Sequence, residues 1–260
     1  MSESVSFDRA AEFYDATRTT EPETLEAMLD VLEAELAPRG RALEIGVGTG
    51  IVALPLAQRG VDLVGVDISA AMMDKLVGKA GKSRRLDLVR ADATCLPFGD
   101  ATFGGAYVRW VLHLIPRWRE AISELHRVVR PGGVIVVEPG GSMGPWHELL
   151  EVFRDEVGDA AAPVGLDIFR DPDALDPVFV ELGSIRRELP RVAERYSGTL
   201  EEFFEATSGR KHSWTWRVPE DALHRAIRMV RAWAEERYGE LTRTTEGSIP
   251  LTWRAYDIPE

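Results

Sequence analysis

Short apolar runs alternate with amphipathic stretches along the first half of this chain, and this alternation constrains the fold more than any other feature. The runs RALEIG, VDLVGVD, RLDLVRAD and FGGAYVRW have the length and composition of buried strands, and helices are predicted up to Gly60 and from Ser69. Residues 117–130 follow the helical period, and the Pro-Gly-Gly turn at 131–133 leads into a fifth strand, VIVVE. Strands that alternate with helices form a parallel sheet with helices on both faces, so we predict an α/β fold.

A helix is predicted before the first strand, over residues 20–37. Thr20 and Glu23 have the spacing of a capping box. The apolar face of this helix is formed by Leu25, Met28, Leu29, Leu32 and Leu36. It is expected to end before Pro38. Pro55 lies inside the helix that follows the first strand, and it is expected to kink that helix.

Residues 141–260 are predicted to contain two closing strands, at 184–197 and 249–256, with helices between them. One of these helices begins at Thr199, and a second runs from about Pro219 to Gly239. An earlier helix carries Trp146, Leu149, Leu150 and Phe153 on one face. The helical insert at about 198–247 is a candidate lid.

Length and composition are those of one globular domain. The chain has 260 residues, of which 45% are hydrophobic and 28% charged, and it is long enough to bury a sizeable core. We predict a single domain over 1–260, with an N-terminal helical cap at 1–38, a cofactor-binding core at 39–140 and an acceptor-side half at 141–260. A monomer or a homodimer is expected.

The formal net charge of −12 argues against a nucleic-acid partner, because such proteins use lysine and arginine to displace counterions from phosphates. No stretch reaches the roughly 18 apolar residues of a membrane span, and the N-terminus lacks the features of a signal peptide. The lone cysteine, Cys95, excludes an internal disulfide and a cysteine-based metal site. We therefore expect a cytoplasmic protein with no metal and no membrane partner.

A glycine-rich joint and two acidic residues mark the predicted carboxyl ends of the first three strands. The segment ALEIGVGTG places Gly46, Gly48 and Gly50 where the backbone must turn sharply and where a ligand can approach closely. Asp67 ends the second strand, where α/β nucleotide sites hold a carboxylate for the ribose hydroxyls. Asp92 ends the third strand, where a carboxylate can accept from an adenine amino group. A structural turn and helix caps are the alternative explanations.

Glu44 distinguishes between nucleotide cofactors. A dinucleotide would bring a pyrophosphate to the glycine loop, and a carboxylate at the mouth of that loop would repel it. S-adenosylmethionine instead brings an ammonium and a sulfonium, which are both cations. The acid at this position therefore favours S-adenosylmethionine as the cofactor.

In these residues the chain resembles the class I S-adenosylmethionine-dependent methyltransferases, and within them the ubiquinone and menaquinone biosynthesis branch. The matching motifs are ALEIGVGTG, VGVDIS followed by Met72, RADATCLPF and HRVVRPGGVIVVE, in the family's order and spacing. The N-terminal FDRAAEFYDATR is similar to the opening of that branch. The resemblance implies a doubly wound, mostly parallel, seven-stranded Rossmann-like sheet with one antiparallel strand. Gly104 departs from the family, which often has an aspartate there.

The resemblance also implies roles for single residues. The three loop glycines would back the methionine part of the cofactor, Glu44 would hold its ammonium, and Asp67 would grip the ribose. Ile68 would pack on the adenine face, and Asp92 and Ala93 would meet the adenine edge. Arg109 would border the methionine end. Tyr14 and Arg18 would lie over the outer side of the cofactor.

Methyl transfer from a sulfonium is an in-line displacement, so the protein must align the acceptor, exclude water and, for some acceptors, remove a proton. His113, just past the fourth strand, is the candidate base, and a capping or packing histidine is the alternative. We predict a methyltransferase that acts on a small molecule. The first alternative is a binding or regulatory protein that keeps the cofactor without transferring its methyl group, and the second is an NAD-dependent oxidoreductase.

Overall fold

The chain folds into alternating strands and helices. The computed structural model describes residues 4–18, 20–80, 86–138, 144–168, 170–171, 173–251 and 253–260. The strands are β1 Ala42–Ile45, β2 Leu63–Asp67, β3 Leu86–Arg90, β4 Phe103–Arg109, β5 Val129–Glu138, β6 Ile185–Glu188, β7 Val192–Gly198, β8 Thr245–Leu251 and β9 Arg254–Asp257. The α-helices are α1 Tyr14–Thr17, α2 Pro22–Leu36, α3 Ala53–Gln58, α4 Ala70–Ala80, α5 Trp118–Val128, α6 Pro145–Val157, α7 Leu175–Glu181, α8 Leu200–Ser208 and α9 Glu220–Tyr238.

These elements form two compact units. Unit 1 comprises Met1–Gly140, Val164–Val192 and Leu251–Glu260. Unit 2 comprises Gly141–Pro163 and Ala193–Pro250. Of the helices in the described residues, none is long and apolar enough to cross a bilayer.

Unit 1 is built on a seven-stranded sheet with the order β3-β2-β1-β4-β5-β9-β6. The strands from β3 to β5 pair in parallel, whereas β9 pairs antiparallel with both β5 and β6. The sheet is therefore mostly parallel with one antiparallel strand, as predicted. Because β1 and β4 are neighbours although β2 and β3 lie between them in the chain, the strand order reverses at β1, where α/β sheets open a crevice for ligands.

Both faces of this sheet are covered by helices. Residues that alternate along each strand pack into two separate apolar clusters. One cluster joins Leu43 and Ile45 to the buried side of α5 and to α7. The other joins Ala42 and Tyr107 to α2, α3 and Leu76 of α4. This two-faced burial explains why β1, β2, β4 and β5 are largely apolar, and it confirms the doubly wound architecture.

Unit 2 consists of helices and a short sheet. Its helices α6, α8 and α9 pack against one another, and β7 pairs with β8. Thr199 caps α8 by accepting from the backbone N–H of Glu202, and α9 lies between Pro219 and Gly239, as predicted. Aromatic rings contact each other within this unit: the Trp214 ring stacks on Phe203 and on His212.

The predicted closing strands are wrong in their extent. Residues 184–197 contain two strands, β6 and β7, which belong to different sheets and are separated by Leu189, Pro190 and Arg191. Residues 249–256 likewise contain the end of β8 and most of β9. Pro190 has no N–H to give to a ladder, so a strand break there is physically expected. An alternating pattern marks strands, but it does not show which partner each strand pairs with.

Two details of the helices also differ from expectation. The residue before α2 is Glu21 rather than Thr20, and Pro22 is the first helical residue, so the predicted capping box is wrong. Proline suits this position because the first N–H of a helix has no partner inside it. Pro55 is the third residue of α3, in its first turn, where its ring does not interrupt an established helix. Arg85, the first residue of the predicted strand RLDLVRAD, lies outside the described residues.

Candidate functional site

A cleft in unit 1 lies at the carboxyl ends of β1, β2, β3 and β4. Residues that follow these four strands line it, together with residues of the N-terminal segment. The lining residues are Ser4, Val5, Phe7, Tyr14, Gly46, Gly48, Val66, Asp67, Ile68, Met72, Ala91, Asp92, Ala93, Arg109, Trp110, Val111, Leu114 and Ile115. The cleft is therefore at the reversal of strand order, where the sequence predicted a cofactor.

The glycine loop needs glycine at two positions for reasons of backbone and space. Gly46 and Gly50 have φ values of +72° and +76°, which favour glycine. A Cβ on Gly46 would lie 2.7 Å from a methyl carbon of Val111, and a Cβ on Gly50 would lie 2.2 Å from one of Leu76. Gly46 thus lets the loop pack beneath the cleft wall, whereas Gly50, which does not line the cleft, lets the loop pack against α4.

Asp67 joins the glycine loop to the start of α4. Its carboxylate accepts from the backbone N–H of Gly48 at 2.8 Å and from that of Ser69 at 2.8 Å. Burial raises the pKa of Asp67, and the N–H donors, which stabilise the charged form, oppose the rise. The bond from the Ser69 N–H is the helix-cap contact that the alternative explanation predicts. Asp67 also lines the cleft.

Glu44 is a buried carboxylate beneath the cleft. Glu44 lies on β1 and is 5% exposed. Its Oε2 atom has no hydrogen-bond partner among the described residues. Burial raises the pKa of Glu44 well above its usual value; Arg109 opposes this rise and Asp67 adds to it. Glu44 is not among the cleft-lining residues. A buried acidic oxygen without a donor fits a ligand that brings a cationic donor, such as an ammonium.

The end of the cleft at β3 carries the residues predicted for adenine. Ile68, Asp92 and Ala93 all line it. Asp92 Oδ1 accepts from the backbone N–H and from the hydroxyl of Thr94, both at 2.9 Å. These bonds hold the Asp92 carboxylate in a turn beside the cleft.

At the opposite end of the cleft, at the last residue of β4, lies a cation. Arg109 Nε donates to Oε2 of Glu138 at 2.7 Å, and these two residues are also register partners on β4 and β5. Trp110, the next residue, lines the cleft with a φ of +54°, a conformation that costs energy for a non-glycine residue. Sequence reasoning placed Arg109 here but gave no sign of Glu138 as its partner.

The N-terminal segment is fastened to the cleft by Asp8 and Asp15, two aspartates of the motif FDRAAEFYDATR whose partners the sequence did not predict. Asp8 Oδ1 accepts from the hydroxyl of Ser69 at 2.6 Å and from the backbone N–H of Ala71 at 3.1 Å, at the start of α4. Asp15 accepts from the hydroxyl of Thr49 in the glycine loop and from Lys79. The motif contains both residues but does not show their partners, because these are about 30 to about 60 residues away in the sequence.

These contacts place Tyr14 on the cleft and Arg18 near it. The guanidinium of Arg18 lies 5.8 Å from the centre of the Tyr14 ring. Burial raises the pKa of Tyr14 and lowers that of Arg18, since each charged form is disfavoured away from water. Arg18 itself is not a lining residue.

His113 lies in a short 3-10 helix, Leu112–Leu114, just past β4. It contacts the edge of the Trp110 ring, and it does not line the cleft. Burial, together with the positive charge of Arg18, lowers the pKa of His113 to about 4. The imidazole is therefore neutral at pH 7, and it is a weak base.

Eight predicted residues thus meet at one cleft, and four lie beside it. The lining residues are Tyr14, Gly46, Gly48, Asp67, Ile68, Asp92, Ala93 and Arg109. The others are Arg18, Glu44, Gly50 and His113. The cleft has acidic groups in and beneath its centre and a cation at one end. This distribution complements a nucleoside with a zwitterionic tail, and it is unsuited to a pyrophosphate.

Comparisons with known proteins agree with this chemistry. A family model described as a methyltransferase domain matches residues 43–137. A demethylmenaquinone methyltransferase from Beutenbergia cavernae is 33% identical over 177 residues, which cover 65% of this chain and 70% of that protein. A protein of the same name from Streptomyces avermitilis is 30% identical over 238 residues, covering 86% of this chain and 93% of that protein.

Solved structures share the fold. The YcgJ protein from Bacillus subtilis has a TM-score of 0.62 at 16% identity and covers 92% of this chain and 100% of its own. The [4+2]-cyclase SpnF has a TM-score of 0.56 at 18% identity, and the match covers 100% of this chain and 99% of that chain. A third structure is that of phosphoethanolamine N-methyltransferase 2 from Haemonchus contortus in complex with S-adenosyl-L-methionine. It has a TM-score of 0.54 at 17% identity, and the match covers 97% of this chain and 57% of that chain.

The fold and the site define a Rossmann-like transferase. The chain belongs to the S-adenosylmethionine-dependent methyltransferases, and S-adenosylmethionine is its cofactor. The oxidoreductase alternative is not favoured by these comparisons.

Proposed function

We propose that this enzyme transfers the methyl group of S-adenosylmethionine to a small-molecule acceptor. The observation that carries the proposal is the charge pattern of the cleft, with Asp67 at its centre, Glu44 beneath it and Arg109 at one end. When bound, the cofactor supplies a methyl group activated on a sulfonium. The protein then has to bind, orient and dehydrate the reacting groups, which requires little acid–base machinery.

Each predicted cofactor contact has a proposed role. Asp67 accepts from the ribose hydroxyls, and the buried Glu44 holds the ammonium. Ile68 packs on the adenine face, while Asp92 and Ala93 meet the adenine edge. Gly46 and Gly48 give the backbone close approach to the methionine part, and Gly50 supports the loop from the side of α4. Tyr14 and Arg18 cover the cofactor from the N-terminal segment, which Asp8 and Asp15 fasten in place.

Trp110 and His113 are the proposed acceptor-side residues. Trp110 follows Arg109 at the methionine end, so its indole offers a flat apolar surface where the acceptor must approach. His113 is neutral at pH 7, and with a pKa of about 4 it can accept a hydrogen bond from the acceptor's nucleophile but is poorly suited to remove a weakly acidic proton.

The similar demethylmenaquinone methyltransferases make a demethylated quinol the first acceptor to test. Their similarity extends over 86% of this chain in one case, which includes residues beyond the cofactor-binding core. A nucleic-acid acceptor is disfavoured by the net charge of −12. We propose that the reaction takes place in the cytoplasm; the assignment of 141–260 as the acceptor-side half stays a prediction.

The proposal is tested by incubating the enzyme with S-adenosylmethionine and a panel of phenols, quinols, amines and carboxylates, including reduced demethylmenaquinone, with mass spectrometry as the readout. We expect one product that is heavier by one methyl group, with one S-adenosylhomocysteine formed per product. Cofactor binding without methylation of any acceptor would contradict the proposal and favour the binding-protein alternative.

Asp67→Ala is the variant with impaired cofactor binding for this assay. It removes charge-assisted hydrogen bonds to the ribose, so cofactor binding should weaken by about tenfold to a hundredfold. Asp74→Ala removes an exposed carboxylate from α4 and serves as the control, which should bind and react like the parent. Equal cofactor affinity of the Asp67 variant and the parent in calorimetry would refute the role of Asp67.

A further inference from the structure

β6 is an edge strand of the seven-stranded sheet, and one side of its backbone faces away from that sheet. Among the described residues, β6 pairs with β9 alone. Just beyond the strand, the N–H of Leu189 donates to the carbonyl of Trp253, which continues the register of the two strands. Because bonded and non-bonded pairs alternate in an antiparallel ladder, the backbone N–H and C=O groups of Arg186 and Glu188 point away from β9. These groups lie at the outer edge of the sheet.

Exposed apolar side chains flank this edge. Ile185, the first residue of β6, is 62% exposed, and Val180 near the end of α7 is 61% exposed. Val180 lies one helical turn beyond Asp176, whose carboxylate contacts Arg186 of β6, so Val180 is on the side of α7 that makes this contact. Exposed apolar side chains beside a strand edge mark a surface suited to pairing with another chain.

The charges of β6 favour a second copy of this chain in one register. In two β6 strands that pair antiparallel about a twofold axis, the outward backbone groups must oppose each other. When Arg186 opposes the partner's Glu188, about four backbone hydrogen bonds form and opposite charges are adjacent. Opposing Arg186 with itself, or Glu188 with itself, would bring like charges together. The second of these registers would also bring Arg186 to Pro190, which has no N–H.

We propose that this protein forms a homodimer in which the β6 strands of two copies pair antiparallel, with Arg186 opposite the partner's Glu188. The two seven-stranded sheets then join into one. In this register Ile185 lies opposite the partner's Leu189, on the face of the sheet where Leu189 packs in the same apolar cluster as α2. The dimer therefore covers the exposed Ile185 side chain.

Arg187 is the residue whose charge would oppose this pairing, and it is neutralised within its own chain. It would lie at the twofold axis, facing the partner's Arg187. Its guanidinium donates to both carboxylate oxygens of Glu35 and to both of Asp257, so two like charges at the axis are each balanced by carboxylates. Charges and prolines protect many edge strands from pairing. In β6 they exclude the neighbouring registers and leave one.

The proposed interface is small, and it lies away from the cofactor cleft. β5 and β9 separate β6 from β4 in the sheet, so dimerisation should leave cofactor binding unchanged. A short strand pair with few apolar contacts buries less area than a standard interface, so we expect a dissociation constant of about 1 to 100 µM. This inference does not depend on the proposed function.

The test is sedimentation velocity of the full chain at concentrations below, within and above this range. The parent should change from monomer to dimer as its concentration rises. Glu188→Arg opposes arginine with arginine, and Arg186→Glu opposes glutamate with glutamate, so each variant alone should dimerise about tenfold to a hundredfold more weakly. A mixture of the two variants restores opposite charges at both positions, and it should form a heterodimer about as tightly as the parent forms its homodimer.

Asp87→Arg is the matched control. Asp87 lies on β3, the opposite edge strand, and like Glu188 it is exposed and forms an ion pair with an arginine. This variant should dimerise like the parent. If Arg186→Glu does not fold, because it also loses the ion pair with Asp176, Glu188→Arg decides alone. A parent that stays monomeric throughout, or a folded Glu188→Arg variant that dimerises as tightly as the parent, would overturn the inference.

Discussion

Glu44 shows how one buried residue can couple ligand binding to protonation. Its pKa is raised chiefly by burial, so the cofactor-free site favours the neutral acid. An ammonium close to its unpartnered oxygen would favour the carboxylate instead. Arg109 already acts in that direction, Asp67 acts against it, and Tyr107, whose pKa is itself raised by burial and by Glu44, faces it from β4.

Cofactor binding should therefore release a proton from Glu44. The sign follows from the direction of the shift: below the raised pKa the acid must ionise on binding, so affinity should increase as the pH rises and level off above that pKa. Calorimetry in buffers of different ionisation enthalpy measures the released proton directly. In Glu44→Gln the release should vanish and the affinity should fall. A parent enzyme that releases no proton at any pH would contradict this role.

At the scale of elements, the joint between β1 and α3 is held by contacts on both of its sides. Gly50 packs against Leu76 of α4, and Asp67 bonds to the loop at Gly48. The glycines were predicted to serve the ligand. The structure gives Gly50 a packing role, which could not be predicted because Leu76 is distant in the sequence.

Gly50→Ala should destabilise the protein more than Gly183→Ala does. Both residues have positive φ values, +76° and +85°, so each alanine should cost about 1 to 2 kcal/mol of backbone strain. A Cβ at Gly183 meets nothing within 4 Å, whereas one at Gly50 collides with Leu76. Urea unfolding of the two variants measures the difference. Equal losses of stability would show that the packing of Gly50 is unimportant.

The N-terminal segment depends on the bond from Asp8 to the start of α4. Donors at Ser69, Ala71 and Ser6 lower the pKa of Asp8, so its stabilising effect is present above the ordinary carboxyl pKa and is lost as the pH falls through the lowered value. Asp8→Ala should speed hydrogen exchange in residues 4–18 and weaken cofactor binding.

Glu12→Ala is the comparison for Asp8→Ala, because Glu12 forms an exposed ion pair with Lys75 that contributes little. Hydrogen exchange followed by mass spectrometry distinguishes the two variants. If the amide hydrogens of residues 4–18 exchange at the same rate in both variants, Asp8 does not fasten the segment.

For the whole molecule, local patterns were sufficient wherever an element interacts mainly with its own neighbours. The five parallel strands coincide with short runs that contain apolar residues, and α9 has Pro219 and Gly239 at its ends, so these elements could be predicted. Pro190 is a local sign of the break between β6 and β7, but the pairing of β7 with β8 depends on long-range partners, and the sequence carries no local sign of it. The same distinction holds for the site. The motifs predicted Asp67 and Asp92, but the partners Glu138, Asp8 and Asp15 come from other elements.

The central claim is that charge and strand order fix how the cofactor lies in the cleft. A crystal structure with S-adenosylhomocysteine tests it most directly. We predict adenine at Asp92 and Ala93, both ribose hydroxyls on the carboxylate of Asp67, and the amino-acid end between Glu44 and Arg109. A nucleoside bound in the reverse direction, or a ribose that makes no contact with Asp67, would contradict the account.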